Sequence, residues 1–124
     1  MKITVNRDVF LKSLGHAYGI IEKKTTLPIL ANILIEAKDS KVKITATDLD
    51  IIFIHELSNI EILEEGKTTT SSSIMYDIVR KFTSGKKINF SNPSKNKLQL
   101  ESEKSLFNLN CIDASEFPLT DENF

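Results

Sequence analysis

A chain of 124 residues, 40% hydrophobic and 27% charged, can bury one ordinary core, and this balance excludes a disordered or fibrous protein. No apolar run approaches the roughly 20 residues needed to cross a bilayer, the longest cluster being Ile51-Ile52-Phe53-Ile54, and Met1 leads into an alternating strand and not a signal sequence, so a soluble, cytoplasmic protein is expected. A net charge of −1 argues against a conventional nucleic-acid binder, whose affinity comes from Lys and Arg displacing condensed counterions.

Lys2-Ile3-Thr4-Val5 alternates as a short strand, and Asn6 is a fitting N-cap for a helix over 7–18. Phe10, Leu14 and Ala17, with Ile21 one turn on, form its apolar stripe. Gly15 and Gly19 weaken the helix, so it is expected to end near Tyr18, before the basic loop Glu22-Lys23-Lys24. Strands are expected over 29–36, 42–46 and 51–57, separated by Asp39-Ser40 and a turn at Asp48, and such short connections favour an antiparallel meander. The order then restarts with Thr68-Thr69-Thr70 as a strand, Ser71 or Ser72 as cap, and a helix over 73–82 bearing Met75, Ile78, Val79 and Phe82 on one face. Further strands are expected over 87–91, 97–101 and 106–112. Val9-Phe10 and Leu14 correspond to Ile74-Met75 and Val79, an internal structural repeat. The expected fold is α+β, with two βαβββ units whose two helices pack on antiparallel sheet.

Opposite its apolar stripe, the first helix carries Asp8, Lys12, Gly15, His16 and Gly19. The second carries Ser73, Asp77, Arg80 and Ser84, with Lys81 at the margin. Periodicity alone reads both as solvated faces. Asp48 and Asp50 share one face of an extended segment, and a D-x-D pair can bind Mg²⁺, although a turn-capping Asp48 beside an exposed Asp50 is the simpler reading. No third carboxylate, phosphate-binding glycine loop or H-x-x-H pattern accompanies them, His16 and His55 carry no motif, and no serine lies in a G-x-S-x-G turn. The lone Cys111 reads as a small buried hydrophobe. In the last strand Phe107, Leu109 and Cys111 point one way and Asn108 and Asn110 the other, which by itself describes an inward-facing core. From the residues alone, a small metal-dependent α+β enzyme using Asp48 and Asp50 and a protein-interaction module that never meets DNA both stay open.

Four segments resemble one family in order: Met1-Lys2-Ile3-Thr4-Val5; Thr25-Thr26-Leu27-Pro28-Ile29-Leu30-Ala31-Asn32-Ile33-Leu34-Ile35; Thr45-Ala46-Thr47-Asp48-Leu49-Asp50; and Asp113-Ala114-Ser115-Glu116-Phe117-Pro118. Nearly end to end, the chain is similar to the first domain of the bacterial DNA polymerase III beta subunit, the sliding clamp. The resemblance implies a DNA-clamp fold, with residues 1–124 as the first of three domains, an excised fragment. Full-length subunits of that family form a homodimeric ring around duplex DNA of any sequence and tether the replicative polymerase, so no catalysis and no cofactor are expected. Polymerase and clamp loader would engage later domains, and no membrane partner is implied.

A ring also answers the objection from charge. Topology retains it on DNA, so a weakly basic inner wall suffices, and Glu56, Glu61, Glu64, Glu65, Glu101, Glu103, Asp121 and Glu122 would lie outside. The family's helices line the hole, which implies DNA contact for Lys12, Arg80 and Lys81, together with Lys23 and Lys24 of the basic loop. Lys24 stands where the family often has arginine; lysine keeps the charge without bidentate phosphate geometry. Phe107 and Leu109 match the ring-closing edge, with Lys104 and Lys97 at flanking basic positions, whereas Ile74 and Leu106 replace charged or polar family residues there.

Overall fold

Alternating short segments assemble, in a computed structural model describing residues 1–20, 28–48 and 50–118, into one nine-stranded sheet carrying two helices. In chain order these are β1 (Lys2–Asn6), α1 (Arg7–Ile20), β2 (Asn32–Lys38), β3 (Lys41–Thr47), β4 (Ile52–Leu57), β5 (Ile60–Glu64), β6 (Gly66–Ser71), α2 (Ser72–Lys81), β7 (Lys87–Ser94), β8 (Lys97–Ser102) and β9 (Ser105–Ile112). Short 3₁₀ turns occupy Pro28–Ala31 and Ala114–Glu116. The strand order is β4-β3-β2-β6-β9-β8-β7-β1-β5, with neighbours antiparallel. The two expected βαβββ units are therefore β1-α1-β2-β3-β4 and β6-α2-β7-β8-β9.

Local chemistry sets the helix starts. Asn6 Oδ1 accepts the N–H groups of Asp8 (2.9 Å) and Val9 (3.1 Å), and Ser71 Oγ accepts that of Ile74 (3.3 Å), so each helix has two or one of its orphan donors satisfied. Three elements depart from the sequence reading. Helix α1 continues through Gly19 to Ile20, because burial of Ala17 and stacking of Tyr18 on Tyr76 outweigh a propensity deficit of about 1 kcal/mol. Residues 29–31 belong to a 3₁₀ turn, and the strand begins only at Asn32, whose Nδ2 donates to Thr69 Oγ1 (3.2 Å). Strand β5 was not expected; it links the two units and pairs with β1, placing Ile62 opposite Ile3 and Ile60 opposite Val5.

The core lies between helices and sheet. Phe10, Leu14 and Ala17 of α1 and Met75 and Val79 of α2 are buried with Ile3, Val5, Ile33, Ile35, Ile44, Ile88, Phe90, Leu98 and Leu100. Phe10 and Phe90 meet edge to face, their ring centres 5.0 Å apart. Ile78, expected on the same face as Met75 and Val79, is only half-buried at the margin of this core.

Ser72, in the first turn of α2, is buried, and among the described residues its Oγ has no hydrogen-bond partner. An unpaired buried hydroxyl costs about 1–3 kcal/mol, and alanine is the better helix former. Ser72→Ala should therefore raise stability by about 1 kcal/mol, read as a higher urea midpoint at unchanged m-value. A lowered midpoint would show that the hydroxyl is satisfied in solution.

Candidate nucleic-acid face and subunit edges

The two helices lie side by side, Gly15 at their contact: a Cβ there would stand 3.8 Å from Tyr76 Cε1. Asp8, Lys12, His16 and Gly19 of α1 are exposed, as are Ser73, Asp77, Arg80 and Lys81 of α2 and Ser84 beyond it. Gly15, half-buried between the helices, departs from that pattern. The charges on this face differ in how free they are. Arg7 Nε and Nη2 donate to the Val79 and Arg80 carbonyls (3.2 and 2.9 Å), capping the C-terminus of α2. The Asp8 carboxylate accepts from Arg7 Nη1 (2.9 Å), Ser84 Oγ (2.9 Å) and the Gly85 N–H (2.9 Å). These bonds, that from Arg7 foremost, hold its pKa below the usual carboxylate value. Arg80 is bound to Asp77 (3.0 Å) and lies over the Tyr76 ring, 5.1 Å from its centre. Lys12 and Lys81 make no ion pair among the described residues, so they are the uncommitted cations of this face. Lys23 and Lys24 lie outside the described residues.

The other candidates resolve into structural roles. Asp48 Oδ1 accepts the N–H groups of Ile51 (2.8 Å) and Asp50 (2.9 Å), which lowers its pKa and makes it the cap of the β3–β4 turn, with Asp50 exposed. Among the described residues no group of three or more His, Cys, Asp and Glu could hold a metal ion. His16 and His55, distant in sequence, both approach Phe53, His16 edge to face and His55 stacked, each with ring centres 6.1 Å from it, and His55 Nδ1 lies 3.0 Å from Ser13 Oγ, joining β4 to α1. Cys111 is buried, and that burial raises its thiol pKa, the opposite of what a reactive thiolate needs.

Strand β5 is outermost at one end of the sheet, β4 at the other, and part of β9 also lacks a neighbour on one side. Strand β4 is the outermost of its end of the sheet and exposes Ile54 (44%) and Ile52 (36%) beside Ile51. Its potential as an interface was missed because Ile51-Ile52-Phe53-Ile54 lacks alternation and reads simply as apolar. Strand β9 pairs along its length with β8, but with β6 only at Thr69↔Ile112 and Thr70↔Cys111, so its first half is bonded on one side alone. The alternation places Leu109 (6% exposed) and Cys111 in the domain's own core, and Phe107 half-buried against Phe82, ring centres 5.6 Å apart. What β9 presents outward is its free backbone, Leu106 (53% exposed) and the hairpin residue Lys104, with Ile74 (50% exposed) projecting from α2. Lys97, the other basic residue, donates to Asn110 Oδ1 (2.7 Å).

The geometry agrees with what known proteins show. Over 97% of its length the chain superposes on a sliding clamp from Bartonella birtlesii with a TM-score of 0.91 and 36% identity, covering 32% of that chain. It is 36% identical over 121 residues to the beta sliding clamp of Caulobacter vibrioides, covering 96% of this chain and 32% of the relative. To that of Escherichia coli K12 it is 32% identical over 129 residues, covering 98% and 33%. It thus spans about a third of the length of these relatives. With the model of the DNA polymerase III beta subunit, N-terminal domain, matching residues 1–121, the chain belongs to that family.

Proposed function

We propose that this chain is the first domain of a DNA sliding clamp, a non-catalytic processivity factor that encircles duplex DNA and tethers the replicative polymerase. The observation that carries the reading is one domain combining a helix face that bears Lys12, Arg80 and Lys81 with open strands at β4 and at the first half of β9. Unpaired strand edges are stable where another strand covers them. Domains joined edge to edge make a closed wall with helices on one surface. Strand β4 would join the following domain of the same subunit, and β9, with Phe107, Leu109, Lys104 and Ile74 around it, the ring-closing joint to a second subunit. Lys23 and Lys24 would add to the inner wall. Polymerase and clamp loader would act on later domains, in the cytoplasm.

A net charge of −1 is compatible with this, because a ring is retained by topology and requires only weak, sequence-independent attraction. The exposed side chains of Glu56, Glu61, Glu64, Glu65, Glu101 and Glu103 hold the balance acidic. The test uses the full-length subunit that the reading requires. Lys12→Glu with Lys81→Glu should lower the amount retained on nicked circular DNA while leaving the thermal melt unchanged, since both side chains are exposed. Equal retention would remove this face from the inner wall.

A further inference from the structure

On the face assigned to DNA, Arg80 is exposed yet partly committed. Its Nη2 donates to Asp77 Oδ1 at 3.0 Å, one helical turn away, while the guanidinium covers the Tyr76 ring at 5.1 Å. Tyr76 also stacks on Tyr18 across the helix pair, ring centres 5.3 Å apart and planes 25° from parallel. Gly15 lies beside that ring, a Cβ there standing 3.8 Å from Tyr76 Cε1. Carboxylate, guanidinium and two tyrosines thus form one chain of contacts across α1 and α2. Both charged side chains remain more than half exposed, so a phosphate can reach the guanidinium, though it must compete with Asp77.

We propose that Asp77 is a positioning residue that keeps Arg80 stacked and partly neutralised, so that Arg80 meets passing phosphates weakly and exchanges them readily. The inference rests on the sliding-clamp reading and deepens it: fully committed arginines would bind duplex DNA tightly and resist movement along it, whereas a shared arginine attracts without anchoring. Lys12 and Lys81, which make no ion pair among the described residues, supply the diffuse attraction.

The test measures binding of the 124-residue chain to a short duplex by fluorescence anisotropy, from low ionic strength upward, where screening is initially weakest. Asp77→Asn, nearly neutral in helix propensity, should tighten binding several-fold and steepen the plot of log K against log salt by about 0.9, one further phosphate neutralised. In an Arg80→Gln background the same change should produce no steepening. Asp77→Glu should keep the wild-type slope. A slope unaltered by Asp77→Asn, or steepened equally without Arg80, overturns the restraint. Lys12→Glu separates this from the broader reading: weaker binding there with no Asp77 effect refutes the restraint and leaves the DNA face standing, whereas binding indifferent to Lys12→Glu refutes the face and the restraint with it.

Discussion

Leu14→Ala should destabilise the domain by about 2–5 kcal/mol, while Lys12→Ala, two residues earlier on the same helix, should leave the denaturation midpoint essentially unmoved. Leu14 has no exposed surface and belongs to the cluster that joins α1 to the sheet, together with Phe10, Ala17, Met75 and Val79. Truncation removes the transfer free energy of three heavy atoms and leaves a cavity between helix and sheet that their packing cannot readily close. Lys12 is exposed and makes no ion pair among the described residues. Urea denaturation followed by circular dichroism gives the comparison directly. The reverse ranking would mean that α1 turns its other face to the sheet, and the assignment of Lys12, Arg80 and Lys81 to one outward surface would fall with it.

That helix face was legible because the spacing of Phe10, Leu14 and Ala17 depends only on neighbours within four residues. The same holds for the Ser71 cap and for β7 to β9, whose alternation survives in the structure. Strand β5 escaped because Ile60-Glu61-Ile62-Leu63-Glu64 breaks alternation at Leu63, which is 65% exposed, and because its partner β1 lies some sixty residues away. Distance in sequence hid the helix-capping role of Arg7, whose acceptors are on Val79 and Arg80, and the approach of His16 and His55 around Phe53. Charge counting on helix faces could name Arg80 but not its stacking on Tyr76, which required the positions of both helices. The functional reading came from ordered family segments; periodicity would have described only solvated surfaces.

On the sliding-clamp reading proposed above, Ile74→Glu combined with Leu106→Glu in the full-length subunit should shift the ring-shaped dimer towards folded monomers. Both residues are about half exposed, at 50% and 53%, so the isolated domain should tolerate charge there with little change in stability. At the centre of a subunit joint the same charges would be desolvated without partners, and loss of an interface anchor commonly costs 2 kcal/mol or more. Each 1.4 kcal/mol raises the dimer dissociation constant about tenfold. Sedimentation velocity over a range of concentrations should therefore show monomer where the unaltered subunit is dimeric. Leu109→Ala provides the contrast: Leu109 is 6% exposed and part of the core, so its truncation should lower the melting temperature of the 124-residue chain as well as weaken any ring. A double glutamate variant that stays dimeric at all concentrations would move the joint away from the outward side of β9 and the start of α2. Monomers that are also unfolded would instead place Ile74 and Leu106 in the domain's own packing, against the exposure that makes them candidates for a partner.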